Sequence, residues 1–381
     1  MKRIYLDYAA ATPMSIEVLK AMEPYFSKKF YNPSATYLAA RAVKQGINQA
    51  RRQVAGLLGA KPAEITFTAG ATEANNMAIQ GIMRQFPNSE LLVSSIEHES
   101  VIAPARLFKH REIPVTKKGL IDLAKLELMV GPQTVLVSVM LVNNELGTVQ
   151  PLAEIAKILN KLSILRKANG NNRPLYLHTD AAQAANYLDL HVSRLGVDMM
   201  SLNGGKIYGP KQSGALYVKA GTQLRPLIVG GGQEQGLRSG TENTGAIMGF
   251  ARALESAQEK RGAEAKRVAQ MRESFEKQLL EQLPQAKING AARHRAPHII
   301  SLSLSGQDNE RLMMELDELG IECAVGSACS ASRQEASHVL SAIGMSDKQA
   351  RSTLRFSLGK HTTTAEIKKT TAELVRLISL K

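Results

Sequence analysis

A chain of 381 residues is longer than one hydrophobic core usually serves, and 44% hydrophobic against 22% charged residues excludes a disordered protein, so one large and one smaller folded domain are expected. Two cysteines exclude a disulfide framework, no metal-type Cys/His spacing accompanies them, and no apolar run is long enough to cross a bilayer; a cytoplasmic protein without membrane contact or metal is expected. The 48 basic residues against 34 acidic ones leave +14, which suits acidic or anionic partners, but the basic residues are scattered and aromatics are only 4%, so direct nucleic-acid binding is not expected.

From about residue 15 to 250, short β-rich runs alternate with helix-like stretches, the pattern of an α/β domain with a mainly parallel sheet covered by helices. In chain order the runs are EITFT (64–68), LLVSS (91–95), TVLVSVMLV (134–142), PLYLHT (174–179), MMSL (199–202) and GALYV (214–218). They lead into AGATEANN, IEHES, NNELG, DAAQ, NGGK and a basic turn. Ligands of parallel α/β sheets bind outside the carboxyl ends of the strands, so these turns predict one convergent site. NKLSILRKANGNNRP (160–174) reads as a helix end followed by a surface loop. A charged helical stretch over about 249–283 then leads into HIISLSL (298–304), NERLMMELDEL (309–319), IECAV (321–325) and TLRFSL (353–358), which predict a smaller α+β domain.

The strongest local signal is SLNGGKIYGPK (201–211), a strand end, a Gly pair and then Lys206. A lysine amine in a confined site near other positive charge is driven toward its nucleophilic, Schiff-base-forming state, although a surface lysine in a Gly-rich loop is the alternative. In HTDAAQ (178–183), Asp180 at the end of a buried strand needs a cation, such as the protonated ring nitrogen of pyridoxal phosphate; a helix N-cap is the other reading. TAGATEANN (68–76) places Thr72 at a strand-to-helix turn whose N–H groups suit a phosphate, a weak pattern by itself. GSACSAS (326–332) sets Cys329 in a small-residue loop and so predicts a reactive thiol, whereas Cys323 within IECAV reads as buried and inert.

Taken in order, YLDYAAATP, GATEANN, EHES, NNELG, HTDAAQ, GGKIYGPK, RSGTEN, GSACSAS and LRFSLG resemble the NifS/IscS-type cysteine desulfurases of the class V aminotransferase superfamily over nearly the whole chain. The resemblance implies a fold-type-I transferase that depends on pyridoxal 5'-phosphate, with a large cofactor domain over 15–250. It also implies a small domain made of residues 1–14 and 251–381, carrying the catalytic cysteine loop at about 326–337. It implies that Lys206 forms the Schiff base, Asp180 partners the ring nitrogen, Gln183 the ring hydroxyl, and His98 stacks on the ring and takes part in proton transfer. Ala71 and Thr72 match the phosphate cup, and Thr241 the threonine lent by the other subunit of a homodimer. Asn144 and Arg355 match the substrate side, Arg355 placed to hold a carboxylate bidentately, and Cys329 matches the sulfur acceptor.

The implied reaction removes sulfur from L-cysteine, leaving L-alanine and a persulfide on Cys329 that passes to an acceptor protein for iron-sulfur assembly or tRNA thiolation. Three departures qualify it. Gly205 stands where the family has His before the lysine, Asn203 stands where it has Ser, and the sequence ends on TAELVRLISLK, without the longer tail expected of IscS-like members. A selenocysteine lyase or other class V enzyme, and a weakly active scaffold of a sulfur-transfer complex, stay open as alternatives.

Overall fold

The computed structural model describes residues 3–326 and 336–379. Its strands include β1 (Ile4–Tyr5), β2 (Ile65–Thr68), β3 (Glu90–Ser94), β4 (His110–Ile113), β5 (Thr134–Ser138), β6 (Tyr176–Asp180), β7 (Met199–Asn203), β8 (Gly214–Val218), β9 (Ala286–Ile288), β10 (Ile299–Leu304), β11 (Ile321–Glu322) and β12 (Thr353–Ser357). Seven form a mixed, mainly parallel sheet in the order β2-β8-β7-β6-β5-β3-β4. The five from β7 to β4 pair parallel, while β8 runs antiparallel to β2 and to β7.

Helices cover both faces, which is why the inner strands read as unbroken apolar runs. On one face Leu92, Val137 and Met200 pack against Ile47 and Val54 of the helix Leu38–Leu58 and Phe250 of the helix Thr244–Gln282. On the other, Leu91, Leu136 and Leu216 pack against Met77 and Ile82 of the helix Ala71–Gln85. β4 escapes the sequence reading because it is a polar edge strand, HREI, with its middle residues exposed.

β8 corrects one expectation. Because it runs against its neighbours, the basic turn after GALYV lies at the far edge, where Lys219 pairs with Asp198 at 3.2 Å, just ahead of β7. The amino end of β8 is the end that reaches the cleft described below. A buried strand has the same apolar pattern in either direction, so sequence could not set this one. TVLVSVMLV is likewise strand only as far as Ser138.

A further core gathers Ile300 and Leu302 of β10, Leu354 and Phe356 of β12, and Leu374 of the helix Thr364–Ser379. The 39-residue helix Thr244–Gln282 belongs to both cores, giving Phe250 and Leu254 to the first and Val268, Phe275 and Leu279 to the second. β1 pairs parallel with β11, so the first described residues lie against this second body and deliver Ala9 and Ala10 to the cleft. No helix among the described residues is long and apolar enough to cross a membrane, and among them no His/Cys/Asp/Glu group could hold a metal ion.

Candidate active site

The cleft at the strand ends is lined by Ala71, Thr72, His98, Asn144, Asp180, Gln183, Asn203, Lys206 and Arg355, and encloses about 820 Å³, part of it open to solvent. Lys206 ends the 3-10 turn Gly204–Lys206 that follows β7. Gly204 is required there, because a Cβ would come within 2.1 Å of the Ser213 hydroxyl. The turn is braced by Asn203, whose Oδ1 accepts the Gly205 N–H at 3.1 Å, by Thr12, which donates to Gly205 O, and by Asn186, which donates to Lys206 O. Lys206 Nζ donates to Ala9 O at 2.8 Å and to Ala10 O.

Asp180 ends β6, as expected, and is 6% exposed. One carboxylate oxygen accepts the Ala182 N–H at 2.9 Å and the other accepts Asn75 Nδ2 at 2.7 Å. The first bond is a local turn rather than a helix cap. Asn75 also donates to the Ser100 hydroxyl at 2.9 Å, and Ser100 reaches His98 Nδ1 at 2.9 Å. His98 Nδ1 accepts the Ser100 N–H as well, which assigns the ring proton of the neutral imidazole to Nε2. Burial holds His98 below the ordinary histidine range, against a smaller pull upward from Asp180. Glu97, fully buried, is pushed well above the usual carboxylate range by burial and then by Asp180, and it accepts the Met140 N–H.

Arg355 is 3% exposed on β12, and its Nη2 pairs with Asp7 at 2.6 Å while Nη1 donates to Asn144 O at 3.1 Å. Only its Nε lacks a partner among the described residues. The two-pronged grip expected for a substrate carboxylate is therefore already engaged here. Gln183 donates to Ala9 O at 2.9 Å, and its Oε1 meets His298 Nε2 at 3.3 Å.

Beside the main cleft, a wider opening of about 1190 Å³ is lined by Gly70, Thr72, Asn203, Gly205, Lys206 and Lys211, among others. Here Gly70 caps the helix Ala71–Gln85 without any side-chain cap, at φ 123° and ψ −179°, a conformation essentially restricted to glycine. Thr241 is exposed and lines neither opening; its neighbours Glu242 and Asn243 line another cavity. Cys329 lies outside the described residues. Cys323 is partly accessible by surface area, yet its thiol has the surroundings of an interior group and burial pushes it up to about 12, in accord with an inert reading.

Sequence reasoning missed Asn75, Ser100, Glu97 and Asp7. All four fall inside motifs it had singled out, and Asn75 is three residues beyond Thr72, hence on the same helix face. Their partners are remote in sequence, so only the fold shows what they hold.

Asp180 supplies the test of fit for a cofactor. Its buried charge is met by neutral donors and has no ion-pair partner among the described residues, a deficit that a protonated pyridine nitrogen removes. The uncapped helix start at Gly70 offers N–H groups to a phosphate, and Lys206 offers its amine from the same cleft. Pyridoxal phosphate fits these residues.

The aminotransferase class-V family model matches residues 4–370. Among curated proteins, the cysteine desulfurase IscS of Dictyoglomus turgidum is 38% identical over 99% of this chain and 95% of that protein. The cysteine desulfurase of Homo sapiens is 39% identical over 99% of this chain and 82% of its own length. Among solved structures, a NifS-like protein superposes with a TM-score of 0.91 at 31% identity over the whole of both chains. SspA in complex with cysteine superposes with a TM-score of 0.81 at 36% identity, over 95% of this chain and 100% of that one. The chain belongs to the class-V aminotransferase family, whose cofactor is pyridoxal 5'-phosphate. Within that family it is of the NifS/IscS type.

Proposed function

We propose that the protein is a cysteine desulfurase that converts L-cysteine to L-alanine and collects the sulfur as a persulfide on Cys329. The observation that carries this reading is the meeting of Lys206, Asp180, His98 and Arg355 in one cleft, within a chain of desulfurase lineage. When bound, pyridoxal phosphate supplies an electron sink for the substrate α-carbon. Asp180 balances the ring nitrogen and is kept in register by Asn75. Gln183 serves the ring hydroxyl, and Ala71, Thr72, Asn203 and Gly205 line the phosphate end. Lys206 would hold the cofactor through its amine and, as a free amine, would take the substrate α-proton. His98, neutral with its proton on Nε2, relays protons, and Arg355 with Asn144 holds the substrate in competition with Asp7. Cys329 as thiolate attacks the substrate sulfur: the new S–S bond forms as the Cβ–S bond breaks, and the carbon skeleton keeps the electron pair and is protonated to alanine.

Alanine release from L-cysteine with a thiol reductant tests this in wild type, Lys206→Ala and Cys329→Ser. Turnover by wild type alone is expected. Activity that survives Cys329→Ser would replace desulfuration by another lyase chemistry.

The reading includes a homodimer in which Thr241 serves the partner's phosphate site. Its support is the separation of exposed Thr241 from its own cleft, and a run of exposed apolar side chains near the amino end, Phe26, Phe30 and Leu38 among them, whose cover a second subunit would supply. It also includes a cytoplasmic location, a large domain over 15–250 and a small one from 1–14 with 251–381, and a protein acceptor in iron-sulfur assembly or tRNA thiolation. A monomer with full activity in sedimentation and assay would remove the dimer from it.

A further inference from the structure

Apart from Lys206, whose amine is taken by the Ala9 and Ala10 carbonyls, the end of the cleft suited to a phosphate is built from neutral donors. Gly70 caps the helix start without a side chain, Thr72 contributes a hydroxyl, and Asn203 has spent its Oδ1 on the Gly205 N–H, which leaves its amide NH₂ without a partner among the described residues. The acid of that first helical turn, Glu73, is neutralised: Oε1 accepts Arg238 Nε at 2.8 Å and Oε2 accepts the Ala69 N–H at 2.6 Å. A phosphate monoester brings close to two negative charges and needs a cation at such a place.

Lys211 lines this opening together with Thr72, Asn203 and Gly205. It is exposed, and no ion pair or hydrogen bond engages its ammonium among the described residues. Its stem runs along the bare face of Gly205, where an added Cβ would lie 3.6 Å from Lys211 Cγ and 3.8 Å from Lys211 Cα, ordinary contact distances. Any longer side chain at 205 would share the space that Lys211 now has.

We propose that Lys211 is the cation of the phosphate site, a cofactor-binding residue that stands in for the missing side chain at Gly205. The proposal rests on the placement of pyridoxal phosphate given above and adds one charge to it. The ammonium meets the phosphate as a partly exposed point charge, so its contribution is screened by salt.

The test is cofactor affinity, read from the visible absorbance of the bound cofactor as apoprotein prepared from the holoenzyme is titrated. Pyridoxal 5'-phosphate is compared with pyridoxal, which lacks the phosphate. Lys211→Met keeps the aliphatic stem and removes the charge; it is expected to weaken pyridoxal phosphate by about tenfold, the scale of one hydrogen bond to a charged group, and to leave pyridoxal unchanged. Added salt is expected to weaken pyridoxal phosphate more in wild type than in Lys211→Met. Gly205→His in the Lys211→Met background is expected to restore part of the affinity.

Wild-type affinity in Lys211→Met, or an equal loss for both ligands, would overturn the assignment. A wild type that acquires no band with pyridoxal phosphate would instead overturn the placement of the cofactor itself, which keeps the two failures apart.

Discussion

Asn75 spends one amide nitrogen on two groups, Asp180 Oδ2 at 2.7 Å and the Ser100 hydroxyl at 2.9 Å, and so connects the buried carboxylate to the His98 ring. Asn75→Ala is expected to leave the charged oxygen without its donor and to lower alanine release by roughly ten- to a hundredfold, in line with about 1.5–3 kcal/mol for a hydrogen bond to a charged group. The cofactor band should shift with it; unchanged turnover and spectrum would show the link to be idle. Gly70 makes a different demand. A Cβ there has room, with Asn203 Oδ1 the nearest atom at 3.7 Å, so the cost of Gly70→Ala is that of the backbone conformation alone, about 1–3 kcal/mol. Thermal unfolding measures it, and a wild-type melting temperature would contradict it.

Among the elements, the segment that carries Thr241 is anchored by one buried pair. Arg51 of the helix Leu38–Leu58 meets Glu234 through two bonds of 2.6 Å, donates also to Ile65 O, and lies over the Phe67 ring, while Glu234 accepts the Phe67 N–H at 2.8 Å. Glu234 and Gln235 hold positive φ, a strained backbone kept in place by these contacts. Arg51→Met is expected to destabilise by about 3–5 kcal/mol, because it strands a buried carboxylate. Arg51→Met combined with Glu234→Gln should cost less than the sum of the two single changes. Additive losses in denaturant unfolding would mean that the pair is not coupled.

Across the whole molecule, burial sets the response to acid. His178, enclosed between Ser138 and Ser201, is lowered to about 4, and His298, stacked on Tyr187, to about 3; His98 shifts the same way. In each case the unfolded chain binds the proton first, so stability is full above the unfolded histidine value of 6.5 and is lost as pH falls from there toward about 4. Glu97 and Glu276 act in the opposite sense above their unfolded value of 4.5, since burial raises both and the native state keeps protons that the unfolded chain releases. The three histidines outnumber these two carboxyls, so the urea midpoint is expected to fall between neutral pH and pH of about 5. A flat or rising midpoint would show that these rings are not held neutral, and His298→Gln should reduce the slope.

What could be read in the sequence was whatever is local. Strand, turn and helix start are contiguous, so the order of the polar turns, the place of Asp180 at a strand end, and the crowding of Lys206 behind a Gly pair were legible from neighbouring residues. So was the approximate extent of the long helix, since charge and apolar spacing persist through it. Tertiary structure alone decided the direction of β8, because pairing with β2 and β7 sets it and the apolar pattern does not. It alone joined Asp7 to Arg355 across 348 positions, placed Asn75 between Asp180 and Ser100, and laid Lys211 along Gly205. Those contacts depend on groups brought together by long-range packing, and no segment read by itself shows its partner.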